Sequence, residues 1–562
     1  MAEQLMGKIF RSLTALSIAM SALAFILSPQ GVARAAEWQW SVDVPVVEGS
    51  KERPRAFLWI PPDCERVRGV VVGQHNMEEE AILEHPAFRK TLAEIGFAEV
   101  WVAPGFDAYF RFDQGAGEKF EAMMSSLATQ SGYDEIAYAP LVPIGHSAAA
   151  SMPWYIAAWK PERVLAGLSI SGQWPYVVDE KNAPHVGGRS IDSIPALVTM
   201  GEYEWADENL PKGLKVRAEH PTMPLTAIGC PADGHFAAMD EKVELLSFYL
   251  KKAVLYRLPA DAPTDRAPQL TPIDPTTSGW LFDRFRTNRD PAFPAAPASE
   301  YKGNRAEAFW CFDEEMARKI QAFQRLHRGK PALLGFVQDG QTAPQKNGTH
   351  QQVTLQFAPQ EDGITFKLSG DFLDTVPEGR PARWAAMPAG SSIEKPTDGP
   401  PIEIRRITGP VRKIAADTWV LDFYRGSFLN DRRGNDAWLV AIWEGNDQYK
   451  RAVQQSLLKI PGRLSEGKPQ TITFPAPPDI TAGTREIALR ATSDSGESVR
   501  YFVVSGPAEI EGSTLKILPI PPRAKFPVRI TVTAWQFGRA AEPKLQSAAP
   551  VTQTILINQP PR

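Results

Sequence analysis

The apolar positions of the first half of the chain fall into short runs separated by amphipathic stretches. "RAFLWIP", "RGVVVGQH", "FAEVWVAP", "APLVPIGH", "RVLAGLSISG", "IPALVTMGEYE" and "PLTAIGCP" are rich in β-branched and other apolar residues and read as strands. Between and after them, "EEAILEHPAFRKTLAEIG", "GEKFEAMMSSLATQSG", "AAASMPWYIAAWK", "ADENLPKGLKVRAEH" and "HFAAMDEKVELLSFYLKKAVLY" carry helical patterns. Strands alternating with helices predict crossover units and a mostly parallel sheet with helices on both faces. Near-continuous apolar strands fit a sheet buried on both sides. Pro153, inside one helical pattern, predicts an irregular helix there.

The texture changes after residue 257. "LPADAPTDRAPQLTPIDPTTSG" is proline-rich and predicts an extended segment, draped over a surface or serving as a linker. "AEAFWCFDEEMARKIQAFQRLHRG" reads as one helical island whose cations complement its C-terminal dipole. From about residue 350, period-two strands such as "QQVTLQF", "GITFKLSG", "TWVLDFY" and "AWLVAIW" take over. Closer-spaced strands from about 468, including "QTITFP", "EIALRAT" and "PVRITVTAW", suggest β-sandwich modules. The expected organisation is an α/β domain over 36–257 and a Pro-rich linker with a helix over 258–345. A β-rich domain over 346–462 and a β-sandwich over 463–562 follow.

Composition adjusts this picture modestly. A chain of 562 residues is expected to hold about two to four domains. A net charge of −4 argues against a dedicated nucleic-acid binder, which needs a basic stripe. Lys8 and Arg11 precede the apolar "SLTALSIAMSALAFILS", and Ala33-Arg34-Ala35 offers a cleavage site. Residues 1–35 thus read as an export signal, and the mature chain is expected outside the cytoplasm, secreted or periplasmic, with no membrane span after cleavage. The three cysteines, Cys64, Cys230 and Cys311, fit no metal motif, and one disulfide is allowed by an oxidising compartment. No metal cluster or phosphate-cradling loop is visible, so no cofactor is expected, and the chain is silent on oligomeric state.

The stretch "PIGHSAAASMPW" carries the chemistry. A strand ends at Gly145, and Ser147 follows among very small residues, which fits either a helix packed close on the sheet or a nucleophile on a sharp turn. A serine hydroxyl needs a base to take its proton and a carboxylate to orient that base. "GCPADGHF" places His235 after the last predicted strand. "VTMGEYEWAD" places Glu202, Glu204 and Asp207 after the preceding one. Asp233 is read as shaping a turn.

On these residues, 54–257 resembles an α/β-hydrolase catalytic domain, whose nucleophile elbow is G-x-S-x-G between strand and helix. Gly145-His146-Ser147-Ala148-Ala149 matches, with Ala149 in place of the last glycine. The resemblance implies Ser147 as nucleophile, His235 as base and Glu204 as acid, with Asp207 as runner-up. It implies an oxyanion hole from the backbone N–H groups of Ala148 and Met77, the latter through the match of His75-Asn76 to the family's His-Gly turn. Gln74 is an alternative donor. His75 is read as a structural hydrogen-bonder and His146 as packing. Trp174, Tyr176 and Trp205 are candidates for a flat substrate wall, with core or lid packing as the competing reading. The phrase "ATSDSGESVRYFVVSGPAEIEGSTLKIL" resembles the immunoglobulin-like modules of secreted bacterial proteins, which implies a spacer or docking role.

The expected activity is a secreted serine esterase, whose substrate is an ester borne by an acylated polysaccharide or another polymer. Two alternatives stand beside it: a serine peptidase of the same fold, and a binding protein on an inactive hydrolase scaffold.

Overall fold

All seven strands expected in the first half form, and an eighth precedes them in the chain. They are β1 (Trp40–Asp43), β2 (Arg55–Trp59), β3 (Gly69–Gln74), β4 (Phe97–Ala103), β5 (Leu141–His146), β6 (Gly167–Ile170), β7 (Ala196–Gly201) and β8 (Leu225–Cys230). A computed structural model describes residues 38–45, 53–107, 109–176, 189–236, 239–263, 265–345, 352–428 and 435–560. The expected export signal, 1–35, lies outside the described residues. No helix among those described is long and apolar enough to cross a membrane.

The sheet order is β1-β2-β4-β3-β5-β6-β7-β8. The first two pairings are antiparallel, and every pairing from β4–β3 to β7–β8 is parallel. Successive residues of β3, β4, β5, β7 and β8 are all buried, so both faces of the sheet are covered. β1 alternates buried and more exposed positions, as an edge strand does. This is the predicted fold class: an α/β domain with a mostly parallel sheet, followed by many small β sheets. The chain order reverses around β3, which lies between β4 and β5. Loops at the carboxyl ends of strands flanking such a reversal form a ligand-binding crevice.

Two sequence expectations change in detail. Pro153 does not kink a helix. It lies in the first turn of Met152–Trp159, where its missing N–H costs no hydrogen bond, and a 3₁₀ turn, Ser147–Ala149, precedes it. The island at 306–329 is not one helix. "AFWC" forms the strand Ala308–Cys311, paired with Trp280–Asp283, and the helix Glu314–Phe323 starts only after Asp313. The Asp313 carboxylate accepts the Met316 N–H at 2.8 Å and so sets that start.

The proline-rich segment after 257 is draped rather than loose. Leu270 and Ile273 are buried in the main core, and the Arg257 guanidinium donates to the Thr271 carbonyl at 2.8 Å. Further on, a four-stranded sheet joins Val353–Gln356, Ala452–Lys459, Asp436–Trp443 and Glu403–Thr408. The last hundred residues form a four-stranded and a three-stranded sheet plus a short strand pair. Their buried residues Leu515, Ile530 and Ile555 join the same apolar cluster as Val70, Trp101 and Ile144 of the large sheet. All three cysteines are buried free thiols, so no bridge forms.

The Asp313 cap also holds Lys252 Nζ at 2.7 Å. Asp313→Ala is expected to lower unfolding stability by about 1–2 kcal/mol, read as a lower urea midpoint. An unchanged midpoint would contradict the capping account.

Candidate active site

The chain leaves β5 through a turn that only a small residue permits. A Cβ on Gly145 would overlap the Ala149 carbonyl, so the first glycine of the elbow is a steric requirement. Ser147 sits at φ 53°, a left-handed conformation that costs a non-glycine residue energy and is characteristic of functional turns. Its hydroxyl thereby stands at the carboxyl end of the sheet, partly exposed, beside exposed Ala148.

His235 comes from the loop after β8. Its Nε2 lies 2.8 Å from Ser147 Oγ. Its Nδ1 lies 2.8 Å from Glu204 Oε2. Glu204 is buried and ends the 3₁₀ turn Glu202–Glu204, which follows β7. The two loops are tied together. A Cβ at Gly201 would meet the Asp233 and Gly234 carbonyls at 2.6 and 2.7 Å, and the Tyr203 N–H donates to the Asp233 carbonyl at 3.0 Å. The other carboxylates of this region face elsewhere. Asp207 accepts the Thr287 N–H at 3.1 Å and lies 3.9 Å from Arg284. Glu202 pairs with Lys450 and accepts the Ala232 N–H at 2.9 Å. Of the three acids that follow β7, Glu204 is the one in contact with His235.

His146 is fully buried, and burial holds its pKa well below the ordinary imidazole value. Its neutral ring donates from Nε2 to the His235 carbonyl at 2.8 Å. It therefore fixes the backbone of His235, a finer role than the packing expected from sequence. Phe236 packs against both imidazoles, with ring centroids 5.3 Å from His146 and 4.6 Å from His235.

The loop after β3 departs from expectation. The Met77 N–H is engaged by the Glu79 carboxylate at 2.8 Å, and so it does not stand as an available oxyanion donor. Glu79 also accepts the His146 N–H at 2.7 Å and the Asn76 N–H at 3.3 Å. The Asn76 side-chain amide donates to the His146 carbonyl at 2.7 Å. Gln74 is occupied too, donating to the Asp107 carbonyl at 2.6 Å. His75 packs edge-on against Trp101 at 5.6 Å between centroids. Burial pushes Glu79 up to about 7, countered by these backbone N–H groups.

The expected aromatic wall is not assembled from its three candidates. Trp174 is buried in the core, filling the space left by Gly213. Tyr176 donates its hydroxyl to Asp192 at 2.6 Å and stacks on His220 with centroids 3.6 Å apart. Trp205 lies under two guanidinium groups, Arg380 at 4.7 Å and Arg383 at 4.3 Å from its ring centroid.

Residues beyond 346 complete the surroundings, and local sequence carried no sign of them. Arg380 Nη1 donates to Glu204 Oε1 at 2.6 Å. Trp384 donates its indole N–H to the Tyr203 carbonyl, and Tyr203 its hydroxyl to the Arg451 carbonyl, each at 2.8 Å. Arg451 also lies 3.5 Å from Asp233, whose carboxyl burial pushes up to about 6. Met77, Tyr203, Phe236 and Met239 share an apolar cluster with Ile407, Val440, Ile442 and Val453 of the four-stranded sheet. Among the described residues, no group of three His, Cys, Asp or Glu side chains is placed to hold a metal ion.

No protein-family model matches the sequence. No curated protein matches it either. Solved structures similar to part of the chain include Est1E from Butyrivibrio proteoclasticus, 14% identical, with a TM-score of 0.27, covering 38% of this chain and 99% of that one. The poly(3-hydroxybutyrate) depolymerase LpqC from Bordetella parapertussis is 14% identical, with a TM-score of 0.26, over 39% of this chain and 89% of that one. The siderophore hydrolase EstA from Aspergillus nidulans is 12% identical, with a TM-score of 0.29, over 41% of this chain and 99% of that one.

Glu79 supplies a test of the loop. Its folded value, about 7, exceeds the ordinary 4.5, so the folded chain holds a proton that the unfolded chain releases between these pH values. The stability this group contributes is full below the lower value and is lost as pH rises through the upper one. Glu79→Gln is expected to flatten the decline of unfolding free energy between pH 4.5 and 7, measured by urea titration at several pH values. A decline as steep as in the parent chain would contradict the burial of Glu79.

Proposed function

We propose that this chain is an exported serine hydrolase that cleaves carboxylic esters through an acyl-enzyme. The observation that carries the reading is the continuous relay from Ser147 Oγ through the His235 ring to Glu204, with both contacts at 2.8 Å. Ser147 attacks the ester carbonyl while His235 Nε2 takes its proton, and buried Glu204 stabilises the imidazolium that forms. The imidazolium then returns the proton to the departing alcohol. Water, activated by the same ring, attacks the acyl group and frees Ser147.

The developing oxyanion is assigned to the Ala148 N–H, on the residue after the nucleophile. A second donor at Met77 requires that its N–H leave the Glu79 carboxylate. His146 keeps the His235 backbone in place during these proton transfers. Export rests on the reading of residues 1–35 as a signal. A polymer-linked ester rests on that export and on the appended β layers, since Trp174 and Tyr176 offer no wall for a sugar ring.

Turnover of acetyl and feruloyl nitrophenyl esters tests the assignment. Ser147→Ala and Glu204→Gln are expected to lose at least about a thousandfold in kcat, while Asp207→Asn stays near the parent rate. Equal losses in Glu204→Gln and Asp207→Asn, or full activity in Ser147→Ala, would overturn it.

A further inference from the structure

The two oxygens of the Glu204 carboxylate serve different partners. Oε2 meets His235 Nδ1 at 2.8 Å, and Oε1 accepts from Arg380 Nη1 at 2.6 Å. The pair is shielded from water, the Glu204 and Arg380 side chains being 9% and 16% exposed. A charge-assisted bond at such a site is strong, and it fixes the plane of the carboxylate as well as its position.

Arg380 opens a short helix, Arg380–Ala385, that is held at both ends. On its own side, Ala385 packs with Leu333, Val376 and Ile393. Toward the large sheet, the helix grips the turn that carries Glu204. Trp384 donates to the Tyr203 carbonyl at 2.8 Å, Arg383 pairs with Glu208, and Arg380 and Arg383 both lie over the Trp205 ring. Trp205 has φ 62°, a costly conformation for an aromatic residue, directly after Glu204. The arginine pair thus covers a strained residue whose backbone sets where the carboxylate stands.

We propose that Arg380 is a positioning residue for the hydrolytic site: it locks the Glu204 carboxylate toward His235 and sets the charge that the imidazole feels. This rests on the serine-hydrolase reading above. Other charged groups face the same set. His146, Glu78 and Lys242 lie on one side, with His146 Nε2 3.7 Å from Glu78 and Lys242 Nζ 3.4 Å from it. Asp233 with Arg451, Glu202 with Lys450, and Glu208 with Arg383 pair with one another on the adjoining stretches of chain. Each of these cations has a carboxylate other than Glu204, whereas the Arg380 guanidinium is bonded to the triad carboxylate itself.

Removing Arg380 has two electrostatic consequences of the same sign. The full charge of Glu204 then acts on His235, and the repulsion between guanidinium and imidazolium disappears. Both favour the protonated imidazole, so the base is lost to protonation at a higher pH.

The test compares Arg380→Gln and Arg380→Lys with the parent chain, using kcat, KM and the pH profile of kcat/KM on a nitrophenyl ester. Arg380→Gln is expected to lower kcat about tenfold, to change KM less than about twofold, and to move the acid limb up by about half a pH unit. Arg380→Lys is expected to return the limb to its parent position with part of the rate. An unmoved limb in Arg380→Gln overturns the proposal, whether or not kcat falls. If Arg380→Gln does not fold, Arg380→Lys decides: a parent-like limb with reduced kcat supports the proposal, and a shifted limb or an unchanged kcat overturns it. Absence of ester turnover in the parent chain would instead strike the serine-hydrolase reading.

Discussion

A buried carboxylate shared between an imidazole and a guanidinium is the interaction on which this site depends. Glu204 is buried, and an unpaired charge there would be costly. Its two oxygens are satisfied by groups from distant parts of the chain, His235 from the loop after β8 and Arg380 from beyond the proline-rich segment. Truncating either partner leaves the other facing a buried, half-satisfied charge, and such losses exceed those at a surface pair. The arrangement therefore ties the order of the loops after β7 and β8 to the presence of the β-rich layer.

The same principle recurs around the site. Glu78 with Lys242, Glu202 with Lys450, and Asp233 with Arg451 are all buried or nearly so. Two of these three pairs join the large-sheet half of the chain to residues beyond 346, and Tyr203, Phe236 and Met77 pack on the same layer. Buried ion pairs add little net stability, because desolvation offsets their attraction. They do penalise wrong arrangements, since a shifted layer leaves several charges unmatched. The β-rich segment thus acts as a wall that registers the loops of the large sheet.

Much of the fold was legible because its signals are local. Apolar strand runs and amphipathic helices gave the α/β order, and Ser147, Glu204 and His235 all follow strands, where a wound sheet gathers its loops. The misreadings have physical causes. Trp174 looked like a substrate wall because an aromatic at a strand end says nothing of the space at Gly213 that it fills. Glu79 and Glu80 read as the polar start of a helix and Glu78 drew no reading, yet all three are buried, and Glu79 takes the Met77 N–H assigned to the oxyanion. Arg380 left no trace, because it stands 176 residues from Glu204 and nothing in its own neighbourhood marks it. The helix expected over 306–329 began late because a strand of the three-stranded sheet and the Asp313 cap took its first part.

In the proposed mechanism the Ser147 hydroxyl is the nucleophile, activated by His235. The most direct measurement is mass-spectrometric mapping of the folded chain after reaction with a fluorophosphonate. A single phosphonyl adduct on the peptide carrying Ser147, lost when His235 is replaced by alanine, is the predicted result. An adduct on another residue, or equal labelling of Ser147 without the imidazole, would contradict the account.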